Sequence, residues 1–565
     1  MHVNVVLAGV LAMGIGGAAL GDDAHDPGDL QPRTPLAKMA LAGRPAFEHR
    51  LTVKFVDAVR ARADANGGLV SAGGVDVQPL LDALAGAGDG PVAFRPLIDM
   101  PMAELEAMLA DAANRSGRAQ PDLGGIMVVG VADANMDAVA RVLHESDLTE
   151  YVYYQQLNPT PPGWFEDGPD DGPPDGPPDG PTDGPDACVD IAPATGDYFG
   201  RQGYHGEGFG IHMAAAWDVP GGRGQGVNVA DCEYWFDGDH EDLCNVISEP
   251  GQTPDPDVIA FGWDEHGTAV LGEMVGGDNG YGVTGLVPDA QAYFFPEWTV
   301  EGGSRRVAAI SRAIGAMDAG DVVLLEMQTF GPGGDFAPAE LDPSVWLVTG
   351  VGTDRGVTVV AAAGNGDQDL DSAPYAEYRG RGDSGAIIVG AGRSTGSRSK
   401  MSFSTFGSRV NVQAWGENVF TTGYGDFIVV GGDARQSYTQ RFAGTSSASP
   451  IVASAVVSLQ GIHRAATGEP MDPLDVRQLV MDTGRPQGSG GQIGPLPDMA
   501  AAVDALLAGL CRADFDGDGG LTLFDFLAYQ TAFDAGEARA DFDGDGSLTI
   551  FDFLAFQTAF DAGCG

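Results

Sequence analysis

The chain has 565 residues, room for roughly two to four domains. Hydrophobic residues make up 43%, enough to fill a core, while 80 Asp+Glu against 30 Lys+Arg give a net charge of −50. Such a charge repels phosphate and excludes nucleic acid as a partner; it suits an exported protein.

Residues 1–21 read as a secretory signal. An apolar run, Val5–Leu20, ends in small residues, and Ala19-Leu20-Gly21 fits a cleavage site. The run is short for a membrane span, and no other segment reaches membrane length. Residues 45–157 read as a small α+β unit. Leu51–Phe55 alternates like a strand, and Met102–Asn114 has helical spacing. Gly125–Val131, Met136–His144 and Glu150–Tyr154 follow as strand, helix, strand. Residues 161–187 are a DGPP-type acidic linker: Pro and Gly deny regular structure, and the aspartates repel.

Four segments then carry chemistry. Val227–Glu233 reads as a buried strand running into a loop, followed by Asp239-His240-Glu241-Asp242-Leu243. An acid at such a strand end can orient a histidine. Asp264-Glu265-His266-Gly267-Thr268-Ala269 offers that histidine at the start of a small-residue helix. A serine hydroxyl is a poor nucleophile at neutral pH, and an imidazole is the natural base for it. Val357–Gly366 reads as a buried strand ending in Gly364-Asn365-Gly366, where an amide can stabilise an oxyanion. Gly444-Thr445-Ser446-Ser447-Ala448-Ser449-Pro450 opens an apolar helix, and a helix N-terminus favours developing negative charge.

Acid, His, Asn and Ser occur in the chain order of the subtilisin-like serine proteases (peptidase family S8), and residues 205–508 resemble that family's catalytic domain. The resemblance implies an α/β fold, a parallel sheet with helices on both faces. It makes residues 45–157 resemble a prodomain. Carried over by position, Ser446 is the nucleophile, His266 the general base and Asn365 the oxyanion donor, acting on protein or peptide substrates. Leu324–Gly331 sits where the family has a strand that pairs with substrate. The acid departs from the pattern. An ungapped match from Val227 to Leu243 puts Glu233 where the family has aspartate, with Asp231 two residues earlier as second choice. Strand alternation sends both carboxylates to one face.

The tail, residues 511–564, holds two near-identical repeats. Asp514, Asp516, Asp518, Gly520, Thr522 and Asp525 in the first match Asp541, Asp543, Asp545, Ser547, Thr549 and Asp552 in the second. Oxygens at loop positions 1, 3, 5, 9 and 12, with glycine at 6, are the spacing of a Ca2+ loop. No entry helix precedes either loop, so the pair resembles a dockerin more than a full EF-hand. That resemblance implies a cohesin-like partner. Of the five cysteines, Cys511 and Cys564 bracket the tail and are the best pair, and Cys232 suits a buried free thiol. The expectation is thus a secreted or cell-surface serine endopeptidase. The competing expectation is a catalytically impaired subtilisin-fold binding module, with Glu233 as the mark of decay.

Overall fold

The computed structural model describes residues 30–46, 48–88, 90–157, 189–511, 513–516, 520–542 and 547–563. The expected signal segment and the 161–187 linker lie outside these residues.

The N-terminal unit is a four-stranded antiparallel sheet with three helices. In chain order these are β1 (His49–Phe55), α1 (Gln78–Ala85), β2 (Ala93–Pro96), α2 (Met102–Ser116), β3 (Ile126–Gly130), α3 (Met136–Glu145) and β4 (Thr149–Gln156). The strand order is β2-β3-β1-β4. Alternation sends Leu51, Val53, Phe55, Met127 and Val129 to one face, where they pack under α1 and α3. The other face sends Ile126, Val128 and Tyr151, with Leu105 and Met108 of α2, into a cluster shared with the large domain. The unit begins upstream of residue 45. Gln31 pairs with the backbone of Gly117 and Ala119, and the Arg33 guanidinium binds both Asp57 and Glu150.

The large domain is built on β5 (Asn228–Glu233), β6 (Val246–Ser248), α4 (Asp264–Val275), β7 (Gln291–Pro296), α5 (Arg306–Ala316), β8 (Val322–Leu325), α6 (Pro343–Asp354), β9 (Thr358–Ala362), β10 (Ile387–Gly392), β11 (Val412–Trp415), α7 (Thr445–Thr467), α8 (Pro473–Thr483) and α9 (Met499–Leu510). Seven strands form one parallel sheet in the order β11-β10-β9-β8-β5-β7-β6. Parallel strands covered on both faces read as near-continuous apolar runs, and Val322–Leu325 is fully buried accordingly. Helices α4 and α7 cover one face. Helices α5 and α6 cover the other. The α/β sheet with helices on both faces is the fold expected from the sequence.

The tail has two helices, α10 (Leu523–Ala535) and α11 (Ile550–Ala562). Each opens on a capping box, Thr522 with Asp525 and Thr549 with Asp552. Tyr529 and Phe556 stack between them at 4.1 Å. No helix among the described residues is long and apolar enough to cross a membrane.

Candidate active site

In open parallel sheets, chemistry collects outside the carboxyl ends of the strands. Here β5 ends in Glu233, β8 runs into Glu326, and β9 runs into Gly364 and Asn365. Facing them are the first turns of two helices, α4 with His266 and α7 with Ser446.

The acid and the imidazole meet. His266 Nδ1 lies 2.5 Å from Glu233 Oε2, and both side chains are buried. Glu233 Oε1 accepts from the Tyr234 backbone N–H at 2.7 Å. Gly267 explains the fit: a Cβ there would stand 2.3 Å from the Trp235 carbonyl and 2.9 Å from Glu233 Cγ. The missing side chain is the space that takes glutamate's extra methylene. Asp231 projects from the same face of β5 and is fully buried, with no hydrogen-bond partner on either oxygen. Burial, with the Glu233 charge added, pushes its pKa well up. Burial raises Glu233 as well. The two repel, and Asp231, with no donor, is the harder of the pair to ionise, while Glu233 has two donors.

The serine segment is set by Gly444, whose φ of 108° admits only glycine comfortably. Ser446 follows in the first turn of α7, buried, and its hydroxyl makes no hydrogen bond to other residues. Its neighbours are tied down. The Thr445 N–H and hydroxyl both donate to Asn365 Oδ1, at 2.9 and 3.0 Å. The Asn365 N–H donates to Gln328 Oε1 at 3.1 Å. An amide whose oxygen is held this way turns its Nδ2 to the opposite side. Gly364, at φ 92°, is needed because a Cβ would sit 2.9 Å from Ala337.

Two carboxylates near the site carry no role in the sequence reading. Glu326, after β8, is fully buried and accepts from Ser449 Oγ at 2.6 Å. Glu273, on α4 two turns beyond His266, is fully buried with neither oxygen bonded. The signal was there: single glutamates inside otherwise apolar runs, Leu324-Leu325-Glu326-Met327 and Val270-Leu271-Gly272-Glu273-Met274. The stretch Leu324–Gly331 is not one strand. Val322–Leu325 belongs to the core sheet, and Gln328–Phe330 pairs antiparallel with Phe336–Pro338. Gln156, at the end of β4, reaches that outer pair. Its Oε1 accepts from the Phe330 N–H at 2.9 Å and from Thr329 Oγ1 at 3.0 Å.

In the tail, ligand atoms of Asp514, Asp516 and Asp525 all lie within 4.8 Å of one another. Asp518, Asp543 and Asp545 lie outside the described residues, as do Cys188 and Cys564. Gly520 and Thr522 lie within the first loop, and the Thr522 N–H donates to Asp525 Oδ2 at 2.7 Å. Asp552 repeats this with the Thr549 N–H at 2.7 Å and the Phe542 N–H at 2.7 Å. Asp541 opens the second loop and Ser547 holds its seventh position. Cys232 is a buried free thiol, and Cys244 and Cys511 each take part in a separate disulfide whose partner lies outside the described residues.

Comparison with known proteins gives the arrangement a family. The model of the subtilase family (Peptidase_S8) matches residues 126–495. An intracellular serine protease of Paenibacillus polymyxa is 28% identical over 278 residues, covering 48% of this chain and 78% of the relative. Subtilisin amylosacchariticus of Bacillus subtilis subsp. amylosacchariticus is 29% identical over 250 residues, 44% of this chain and 59% of its own. An extracellular protease of Xanthomonas campestris pv. campestris is 31% identical over 158 residues, 27% of this chain and 25% of its own. With more than half of its length matched, the chain belongs to the subtilase family and is a subtilisin-like serine endopeptidase.

Proposed function

We propose that the protein is a secreted endopeptidase whose triad is Ser446, His266 and Glu233, with Asn365 as oxyanion donor. The observation that carries this reading is the 2.5 Å contact between His266 Nδ1 and Glu233 Oε2 at the carboxyl end of β5. With Glu233 ionised, Nδ1 holds the hydrogen and donates it, and Nε2 keeps the lone pair that a base needs. Ser446 Oγ attacks the scissile carbonyl as Nε2 takes its proton. The oxyanion is received by Asn365 Nδ2 and the Ser446 backbone N–H. The imidazolium then protonates the leaving amine, and water releases the acyl group by the same route in reverse.

Residues 45–157 act in this reading as a propeptide. The unit leans on the large domain through Tyr153 and Gln155, which both donate to Asp342 at 2.7 and 2.8 Å, and through Gln156 on the outer strand pair. The apolar start of the chain and the extracellular relative support secretion.

A fluorophosphonate tests the chemistry and the processing together. The protein is expected to be labelled on Ser446 and to be cut between Tyr154 and Gly210. Ser446→Ala should abolish labelling and keep residues 45–157 attached, read by intact mass and N-terminal sequencing. Equal labelling of the variant would put the nucleophile elsewhere, and identical N-termini in both forms would end the propeptide reading.

For the tail we propose two Ca2+ sites. One uses Asp514, Asp516, Asp518, Gly520, Thr522 and Asp525; the other uses Asp541, Asp543, Asp545, Ser547, Thr549 and Asp552. The convergence of Asp514, Asp516 and Asp525 supports the first. Carboxylates that repel in the free loop are neutralised by the ion, so binding contributes to folding. Calorimetry of the whole protein is expected to report two sites in the tail, lost when Asp514 and Asp541 are both replaced by Ala. No heat at millimolar calcium would reduce the repeats to ordinary turns. Leu523, Phe524, Ile550 and Phe551 are exposed at equivalent positions of α10 and α11 and are the surface offered to a cohesin-like partner.

A further inference from the structure

Four buried carboxyl groups lie on the facing elements beneath the proposed triad, and the mechanism uses one of them. Asp231 and Glu233 share a face of β5. Glu326 joins them from the adjacent strand, where Leu324 is paired with Asp231 and the Glu326 N–H points to the Cys232 carbonyl. Glu273 comes from α4, seven residues after His266 and so on the same side of that helix. All four are at most 1% exposed. Two oxygens of Asp231, two of Glu273 and one of Glu326 have no hydrogen-bond donor.

The groups packed around them are mostly uncharged. Helix α7 contributes Ser446 and the Ser449 hydroxyl bound to Glu326. The Tyr204 and Tyr234 rings are buried nearby, and that of Tyr424 is half-buried. Phe294 pairs with Asp231 from β7. Cationic partners are few. The His266 imidazole serves Glu233, and Arg306, whose charge reaches Glu233, is bound to Glu297 at 2.5 Å. Four buried carboxylates facing so little positive charge would not be tolerated. A buried carboxyl with no donor avoids an uncompensated charge by keeping its proton.

We propose that Asp231, Glu273 and Glu326 are proton-holding positioning residues, uncharged in the native protein at neutral pH. In that state they leave Glu233 the sole anion facing His266. Glu326 also ties the acid's sheet to the nucleophile's helix through Ser449. This rests on the Glu233–His266 assignment for its catalytic consequence, while its stability and infrared consequences stand without it.

Burial raises the pKa of all three. A carboxyl whose folded pKa lies above its unfolded value binds more protons in the native state. The stability it gives is complete below the unfolded value and is lost as pH rises through the folded one. The protein should therefore be most stable in mildly acidic solution and weaken toward alkali, as each lost proton puts a second anion into the core.

The test compares the full protein with Asp231→Asn, Glu273→Gln, Glu326→Gln and the triple variant. Infrared spectra in D2O at pH 7 should show a protonated-carboxyl band in the wild type that weakens with each substitution. The wild-type Tm should fall between pH 5 and 9, and the triple variant should flatten that fall. In the pH profile of kcat/KM, the midpoint of the acid limb should stay in place, because no charge has been removed. Had the group been ionised, deleting a neighbouring charge would move that midpoint down by roughly one to two units. A missing carboxyl band at pH 7, parallel Tm profiles, or such a displacement would each overturn the proposal. If the triple variant fails to fold, the wild-type band and the single variants decide. If the protein proves inactive, the band and the Tm profiles decide, and the triad assignment fails separately.

Discussion

His266→Ala is expected to lower peptide hydrolysis by about 10⁴–10⁶, the scale on which a base and its nucleophile act as one unit. The expectation comes from the single role open to the ring. Its Nδ1 is engaged by Glu233 at 2.5 Å, and its helix packs directly on the acid strand over Gly267. The loss should fall on kcat, because the imidazole acts on the transition state and adds little to ground-state binding. Tm should change little by comparison. Single-turnover hydrolysis of a chromogenic peptide, beside a melting curve, separates the two. A variant that keeps a tenth of the wild-type rate would show that another group takes the serine proton.

Glu233→Gln should keep the fold and lower turnover by roughly 10⁴, the loss known when a triad acid is neutralised and the wrong tautomer follows. A glutamine still accepts from the Tyr234 N–H, but its amide nitrogen can face Nδ1 and turn the hydrogen onto Nε2. Asp231→Asn should cost less than about tenfold, because a protonated side chain with no donor makes no charge contribution to lose. Measuring both rates and both melting temperatures tests the assignment. An inactive, well-folded Asp231→Asn beside a nearly normal Glu233→Gln would reverse it.

How much of this was legible in the sequence follows from the range of the forces involved. The sheet and its helices were readable because apolar periodicity is local: Val322–Leu325 and Thr358–Ala362 can only be buried strands. The order of acid, His, Asn and Ser was readable because each sits at the end of such an element. Strand β2 and helix α1 were missed, since Ala93–Pro96 has one buried residue in four and Gln78–Ala85 is short. The boundary at residue 45 was drawn too late, because Gln31 and Arg33 attach through a backbone bridge and ion pairs rather than an apolar pattern. Glu273 and Glu326 escaped for a related reason. A lone acid in an apolar run looks like an interruption until the fold brings four such interruptions together.

The contact of Gln156 with Thr329 and Phe330 has a kinetic side. In the propeptide reading, the N-terminal unit competes with substrate for that surface from the same molecule while the peptide chain continues from Leu157 to the large domain. Its effective concentration is then set by the tether, on the order of millimolar, whatever the protein concentration in the tube. Cutting the tether changes nothing at the instant of the cut. Afterwards the unit is an ordinary solute, and dilution starts to pull it away. Asp342 keeps its capping role through that departure. It accepts from Tyr153 and Gln155, yet it also caps α6 through the Ser344 and Val345 N–H groups, so the helix end stays satisfied when the unit leaves. Activation should therefore show a lag that lengthens with protein concentration after cleavage and is absent in high dilution.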